Sequence, residues 1–520
     1  MRGPFYLIGT PCGGFDPCST SREATGTRKA RPEGVSRKAA NQSPVNPRSY
    51  ATPPQSGTIN FPPSNGCFEM LRICLLSPKG PLYRHRGGIF RKSLRYSPLT
   101  LPTLAGLIPA EIEHDITLFD EGIEDIPSDL EADIIGITVI TGTAKRSYEL
   151  AQQFRARGIT VVLGGPHVTL VPDDAAPHAD AIVVGYAEDT WPQLLRDFKA
   201  NKLQSRYTQS PDLSLAGRPR ARRDLINSNR YAKTHVFEAT RGCVHRCDFC
   251  VVPFAWGRKP YQKPVAEVID EIRSTGARRA IFVDLNLVAD RDYAAELFEA
   301  LIPLKLKWAG LATNLLARDE QLLDLCARSG CIGILVGLES ISHAGLKDVH
   351  KGFNTPELYA DWIKNFHAHG IAVNGTFVFG LDSDSPDVFE ETAQFVIDTG
   401  IDLPRFAILT PFPGTALHKR LESEGRITTK DWELYDGQHV VFKPAQMSAD
   451  VLQKGNMAAW QKVYGYRSIA QRMLHTPISK LMFLGANMGY RFYAHRLDQF
   501  YNCDWRLMSS PIPLRSQESR

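Results

Sequence analysis

The chain has no run of about 18 consecutive apolar residues, so nothing in it reads as a bilayer-spanning helix. Arg2 stands near the amino terminus, but no apolar core precedes a small-residue cleavage site, and no export signal is expected. Ten cysteines without such a signal read as reduced thiols in a cytoplasmic protein, not as a disulfide framework. A strong charge bias is missing too: 61 Lys and Arg against 56 Asp and Glu leave +5 over 520 residues, too little to imply nucleic acid. With 43% hydrophobic and 22% charged residues, the remainder describes a soluble globular chain long enough for two or three domains.

Residues 1–69 lack aliphatic periodicity and are rich in Ser, Pro, Gly, Thr and Arg. They read as a low-complexity extension unable to bury enough apolar surface to order itself. One reading makes Met70 the true start; tryptic peptides from before Met70 would overturn it. From residue 71, short apolar runs alternate with helical segments, the signature of parallel α/β units. Expected strands are Arg72–Leu76, Asp115–Phe119, Ile134–Val139, Thr160–Leu163 and Ala181–Val184, with a helix at Ala144–Arg157 closed by Gly158. Five strands in roughly 130 residues suit a flavodoxin-like, Rossmann-type domain over 70–200. Residues 201–230 are polar and rich in arginine and read as a linker.

A second series follows over 231–444. Its expected strands are His235–Ala239, Ala280–Leu285, Trp308–Thr313, Gly333–Leu338, Val373–Phe379 and Phe406–Leu409, with helices such as Val265–Thr275 and Asp319–Ser329 between them. Six βα units suit a partial (βα)6 TIM-like barrel, with its chemistry at the carboxyl ends of the strands. Residues 445–520 read as a helical carboxyl-terminal region. From Lys454 onward it holds ten Lys and Arg, three Asp and Glu, and ten aromatics. That mixture suits either a helical layer packed on the barrel or a peripheral membrane contact.

Directly after the first barrel strand stand Cys243, Cys247 and Cys250, spaced C-x3-C-x2-C. With ten cysteines in the chain this spacing arises by chance roughly 0.004 times, so it is a signal. Structural zinc sites and electron-transfer clusters normally take four protein ligands. Three thiolates would leave one iron of a [4Fe–4S] cluster open to a cosubstrate. A zinc site completed by His245 is the competing reading.

The triplet, its place after strand one, and Phe249 ahead of the third cysteine resemble the radical SAM superfamily. The resemblance implies a cluster that cleaves S-adenosylmethionine (SAM) to a 5′-deoxyadenosyl radical, fed by an electron donor such as ferredoxin or flavodoxin. It places Phe249 near the adenine and makes Val336-Gly-Leu-Glu339-Ser340 the ribose- and amino-group-binding element. Glu339 is then the expected ligand, and Ser340, Asn314 and Asn374 are further SAM contacts.

The two-domain pattern over about 70–450 is similar to the cobalamin-binding branch of that superfamily. Thr138 lies 26 residues before Gly164-Gly165-Pro166-His167, close to that family's separation, and Gly185-Tyr-Ala-Glu188 ends strand five. By this resemblance Thr138, Thr141, Thr143, Gly164, Gly165, His167 and Glu188 would hold cobalamin, the glycines letting backbone approach its nucleotide tail. The family's D-x-H-x-x-G loop is altered here to Tyr83-x-His85-x-x-Gly88, so the partner carboxylate of a cobalt-ligating histidine is gone. A cobalt without a histidine beneath it is therefore expected, with His85 retained as a candidate. The methylthiotransferase branch, whose amino-terminal domain supplies three further cysteines, fits less well, because this domain has Cys74 alone.

Leu409-Thr-Pro-Phe-Pro-Gly414-Thr415 looks like the loop closing the barrel mouth in these relatives. Trp432, Tyr435 and His439 follow, the last two as acid–base candidates. The expected activity is cobalamin-dependent methyl transfer to an unactivated carbon or phosphorus centre of a small-molecule, lipid or tetrapyrrole-like substrate. A non-methylating oxidative cyclase or ring rearrangement remains the alternative. A non-enzymatic cobalamin- or metal-binding regulator is a third, although no DNA-reading helix accompanies it and no nucleic-acid partner is expected.

Overall fold

The computed structural model describes residues 70–80, 96–210, 212–352 and 354–497. The low-complexity extension over 1–69 and the His85 frame fall outside these.

The first sheet is entirely parallel and has six strands. They are β1 (Leu71–Ser77), β2 (His114–Asp120), β3 (Ile134–Thr138), β4 (Thr160–Gly164), β5 (Ala181–Val184) and β6 (Arg206–Thr208), in the order β2-β1-β3-β4-β5-β6. The period-two alternation divides its side chains into two cores. Cys74, Leu76, Ile135, Ile137, Val161 and Leu163 pack on one face, and Ile73, Leu75, Ile134, Val162 and Val183 on the other. Helices cover both faces of the central strands β1, β3, β4 and β5, which are apolar nearly throughout, whereas the edge strands β2 and β6 are more polar and less buried. The chain reverses direction across the sheet between β1 and β3, the place where open α/β sheets bind ligands outside their carboxyl ends. β6 lies inside the stretch expected to be a linker. Its three residues, with only Tyr207 buried, are too few to show an alternation.

The second sheet begins with β7 (His235–Phe237). A short antiparallel pair, β8 (Thr240–Arg241) with β9 (Tyr261–Gln262), follows it. The sheet continues through β10 (Arg279–Phe282), β11 (Lys307–Ala312), β12 (Cys331–Glu339), β13 (Ala372–Phe379) and β14 (Arg405–Ile408). Its strands run parallel in the sequential order β7-β10-β11-β12-β13-β14 and do not close, leaving β7 and β14 at the edges. Among its core residues Trp308 stacks on Phe298, meets Phe282 edge-on, and satisfies its indole N–H on Ser329.

Helices Ala449–Val463, Tyr466–Met473 and Lys480–Ala494 form the carboxyl-terminal layer. They pack on the β14 side of the sheet: Trp460 donates to the Phe406 carbonyl, Tyr464 to that of Pro404, and buried Arg472 to those of Ile401 and Asp402. No helix among the described residues is long and apolar enough to cross a membrane.

Candidate active site

The cysteine loop is pinned at both ends. Gly242 sits at φ +85°, and a Cβ there would run into the Lys259 carbonyl, so glycine is required. The Cys243 N–H reaches the Gly257 carbonyl at 3.4 Å, and the Cys250 N–H reaches that of Cys247 at 3.1 Å. Beneath the loop, wholly buried Asp284 just past β10 accepts the backbone N–H groups of Ala239, at 3.0 Å, and of Thr240. Burial pushes its carboxyl up to about 7; Glu238 acts in the same direction and the two N–H donors oppose it. Replacing it with alanine strands both donors inside the protein. Asp284→Ala is expected to cost about 1–3 kcal/mol for each, read by chemical denaturation of the protein without cofactors.

Cys243, Cys247 and Cys250 are all buried and free of disulfides. Burial pushes the Cys243 thiol up to about 11, reinforced by Cys247; the N–H groups of His245 and Val244 and the charge of Lys351 pull it back. Such a thiol gives up its proton when iron binds it. The Val252 N–H also points at Cys250 Sγ, 3.4 Å away, the kind of contact that tunes cluster potentials. Among the described residues no three His, Cys, Asp or Glu side chains converge to ligate a single metal ion. Three soft thiol donors on one loop have the chemistry that iron–sulfur clusters take.

At the end of β12 the backbone is strained. The β12–β13 register slips between Gly337 and Glu339, and Glu339 adopts φ +64°, rare for a side-chain-bearing residue. Its carboxylate is buried with Lys351, whose Nζ lies 2.7 Å from Oε1 and 3.2 Å from the Gly337 carbonyl. Burial raises the Glu339 pKa and Lys351 opposes that rise. The other oxygen, Oε2, is buried with no hydrogen-bond partner, as is Asn314 Oδ1. Asn314 Nδ2 donates to Asn354, which in turn donates to the carbonyls of Gly337 and Leu338. Ser340 Oγ accepts the Ser342 N–H at 3.1 Å and so shapes the same turn. Unmet acceptors of this kind suit a ligand ammonium or hydroxyl. Asn286, which the sequence reading passed over, has a buried, unpartnered Oδ1 just beyond β10.

Asn374 is not brought to this site. It is the third residue of β13, opposite Leu335 and toward the amino end of the strand, and its amide donates to Tyr490 of helix Lys480–Ala494. Tyr435 and His439 lie in the segment running along the β14 edge. The Tyr435 hydroxyl is committed to the Thr429 carbonyl at 2.7 Å, and burial pushes its pKa up to about 12. His439 Nδ1 sits 2.9 Å from Asp436.

On the first domain, Thr138 ends β3. Gly165 adopts φ +107°, and a Cβ there would meet the Val139 carbonyl at 2.9 Å and Thr138 Oγ1 at 3.2 Å. That glycine is demanded by the turn itself. Gly164 is different: its Cβ would make only ordinary contact with Val183, so packing does not explain it, while a ligand crossing the strand end would. His167 is wholly buried, its Nδ1 3.3 Å from Thr141 Oγ1 and its Nε2 within reach of Tyr148 and Asp174. Thr143 Oγ1 turns back to the Ile140 carbonyl at 3.1 Å.

The carboxyl ends of the two sheets meet. Residues Pro166–Leu170, after the Gly-Gly pair, pack on Val252–Ala255, two residues past Cys250. Glu188 pairs with Arg241 of the cysteine loop, and that guanidinium also lies 4.8 Å over the Tyr186 ring. A Cβ on Gly414 would touch the Leu170 carbonyl at 3.0 Å, and Leu417 N–H donates to the Asp248 carbonyl. Trp432 meets His167 edge-on. The Pro-Phe-Pro-Gly segment and Trp432 thus close against the first domain.

A three-cysteine loop at the mouth of an open parallel barrel, beside the segments that follow β4 and β5 of a flavodoxin-like sheet, defines a radical SAM enzyme with an attached cobalamin domain. Two protein-family profiles match accordingly: the B12 binding domain at residues 97–195 and the radical SAM superfamily at 237–396. Bacteriochlorophyllide d C-12(1)-methyltransferase of Chlorobaculum tepidum is 32% identical over 406 residues, 74% of this chain and 87% of that protein. The C-8(2)-methyltransferase of the same organism is 32% identical over 416 residues, 76% and 91% of the two chains. The cobalamin-dependent radical enzyme OxsB, solved with aqua-cobalamin and SAM, shares the fold with a TM-score of 0.58 at 13% identity, over 85% of this chain and 81% of its own. The methyltransferase TsrM of Kitasatospora setae, solved with cobalamin and a [4Fe–4S] cluster, does so at 0.57 and 18%, over 68% and 78%. The chain belongs to the cobalamin-dependent radical SAM methyltransferase family, whose cofactors are an iron–sulfur cluster, SAM and cobalamin.

Proposed function

We propose that this protein methylates an unactivated carbon of a tetrapyrrole-like small molecule by a radical route. Cys243, Cys247 and Cys250 would ligate a [4Fe–4S] cluster, while Glu339, Ser340, Asn314 and Phe249 hold SAM. Thr138, Thr141, Gly164 and Gly165 border the cobalamin. When bound, the cluster supplies the electron that splits SAM and the cobalamin supplies the methyl group, chemistry that no side chain offers to an sp3 carbon.

The protein's part is placement. Glu339 Oε2 is a buried acceptor awaiting a donor, which suits the SAM ammonium; Lys351, 2.7 Å from the other oxygen, opposes the rise that burial imposes on the carboxyl. Asp284 fixes the backbone entering the cysteine loop. Arg241 ties that loop to Glu188 at the end of β5, holding the two halves of the site in one orientation. The packing of Pro166–Leu170 on Val252–Ala255 is the observation that most supports the reading, because it brings the cobalamin-binding turn beside the cluster loop. The two bacteriochlorophyllide-methylating relatives support this substrate class.

The test is anaerobic turnover of the reconstituted protein with cobalamin, SAM, a reductant and a chlorophyllide-type tetrapyrrole. The expected product is one CH2 heavier, accompanied by equal amounts of S-adenosylhomocysteine and 5′-deoxyadenosine. A tetrapyrrole changed in oxidation state but without the added carbon would favour cyclisation and contradict methyl transfer.

A further inference from the structure

The carboxyl-terminal helices carry a surface that the proposed chemistry does not use. From Val451 to Leu497 the sequence has seven Lys and Arg and no Asp or Glu. Arg472 is buried and Lys462 pairs with Glu390 of the neighbouring helix. Among the described residues Lys454, Arg467, Lys480, Arg491 and Arg496 have no carboxylate partner. Helix Lys480–Ala494 turns Phe483, Asn487, Tyr490, Tyr493 and Ala494 inward, which accounts for its amphipathic half. Its other side is also apolar: Leu481, Leu484 and Met488 recur at i, i+3 and i+7, with Met482 beside them, and all four are exposed. Leu474, at the turn joining this helix to Tyr466–Met473, is 74% exposed, and Leu481 is 80% exposed. A helix apolar on both sides, set among cations that no carboxylate neutralises among the described residues, is not the composition of a face meant for water.

We infer that this helix pair docks on an anionic lipid surface, with Leu474, Leu481, Leu484 and Met488 entering the headgroup region. The cations choose the occupant. A second copy of the same face would bring like charges together, whereas phosphate headgroups neutralise them while the apolar stripe leaves water. The helix is too short to span a bilayer, so contact stays at the surface. The surface does not depend on which carbon is methylated.

Full-length protein should float with vesicles of phosphatidylcholine and phosphatidylglycerol, bind phosphatidylcholine vesicles poorly, and detach as salt is raised. Leu474→Glu combined with Leu481→Glu should lower the vesicle-bound fraction about tenfold or more. Its circular dichroism should be unchanged, since both side chains already stand in water. Lys480→Glu, a substitution outside the apolar stripe, should weaken binding to the anionic vesicles alone. The inference is overturned if the protein ignores anionic vesicles or if the double variant binds them as tightly as the parent. It fails equally if sedimentation shows a dimer that the double variant splits and no affinity for lipid, which would assign the face to a second copy.

Discussion

Cys247→Ala is expected to remove the visible absorption of the iron–sulfur chromophore and SAM cleavage together, with 5′-deoxyadenosine formation falling at least about a thousandfold. The physical reason is the ligand count. Three buried thiols are the whole protein share of the proposed cluster, and two thiolates hold one poorly. Iron content, absorption and 5′-deoxyadenosine should be measured on the same anaerobically reconstituted sample. The fold should survive, because Cys247 lies in a loop whose backbone is fixed by Asp284, Gly242 and the β8–β9 pair, not by its sulfur. A variant retaining both cluster and cleavage would show that iron has another ligand.

Lys351→Met carries the second large effect, and its readout needs no cofactor. It leaves the Glu339 carboxylate, 1% exposed, without its counter-charge. Orphaning one member of a buried ion pair costs about 3–5 kcal/mol. The loss should depend on pH with a definite sign. Burial raises the Glu339 pKa, and removing Lys351 removes the group opposing that rise. A carboxyl raised above its unfolded value favours the folded state while protonated and loses that advantage as pH climbs. The deficit should therefore be smaller near about pH 5 than near about pH 8. Lys351→Met joined to Glu339→Gln should recover most of the stability, since no charge is then stranded, yet leave SAM binding impaired. Denaturation of the parent and the two variants, with a SAM titration of the parent and the double variant, separates the structural part of the pair from its ligand-holding part. Equal stability of Lys351→Met and the parent at both pH values would mean that Glu339 is folded as the neutral acid.

Much of this architecture is written in local pattern. The apolar runs beginning at Leu71, Ile134, Thr160 and Ala181 form strands within a residue or two of where alternation and length put them, because a doubly covered parallel sheet needs near-continuous hydrophobic strands. The cysteine triplet is equally local. What escaped depends on contacts across long sequence separations. Lys351 sits after a short helix in what reads as loop, and only the β12 bulge turns Glu339 toward it. Asn374 reads as a polar residue near a strand end. It lies early in β13, where its amide donates to Tyr490, more than a hundred residues later, and its Oδ1 is buried without a hydrogen-bond partner. His167 has the character of a ligand contact in sequence, yet Thr141, Tyr148, Asp174 and Trp432 surround it. Trp432 proved to be a docking residue for the first domain. Arg241 follows β7 so closely that it reads as part of the cysteine loop, whereas its pairing with Glu188 joins the two domains.

The central claim is that methyl transfer from SAM passes by way of the cobalamin domain. It can be tested without knowing the substrate. Reduced, reconstituted protein with and without bound cobalamin is given SAM alone, and S-adenosylhomocysteine is counted per chain. The account predicts an amount equal to the bound cobalamin and none from the cobalamin-free protein. No S-adenosylhomocysteine from the loaded protein, or the same amount from both, would contradict it.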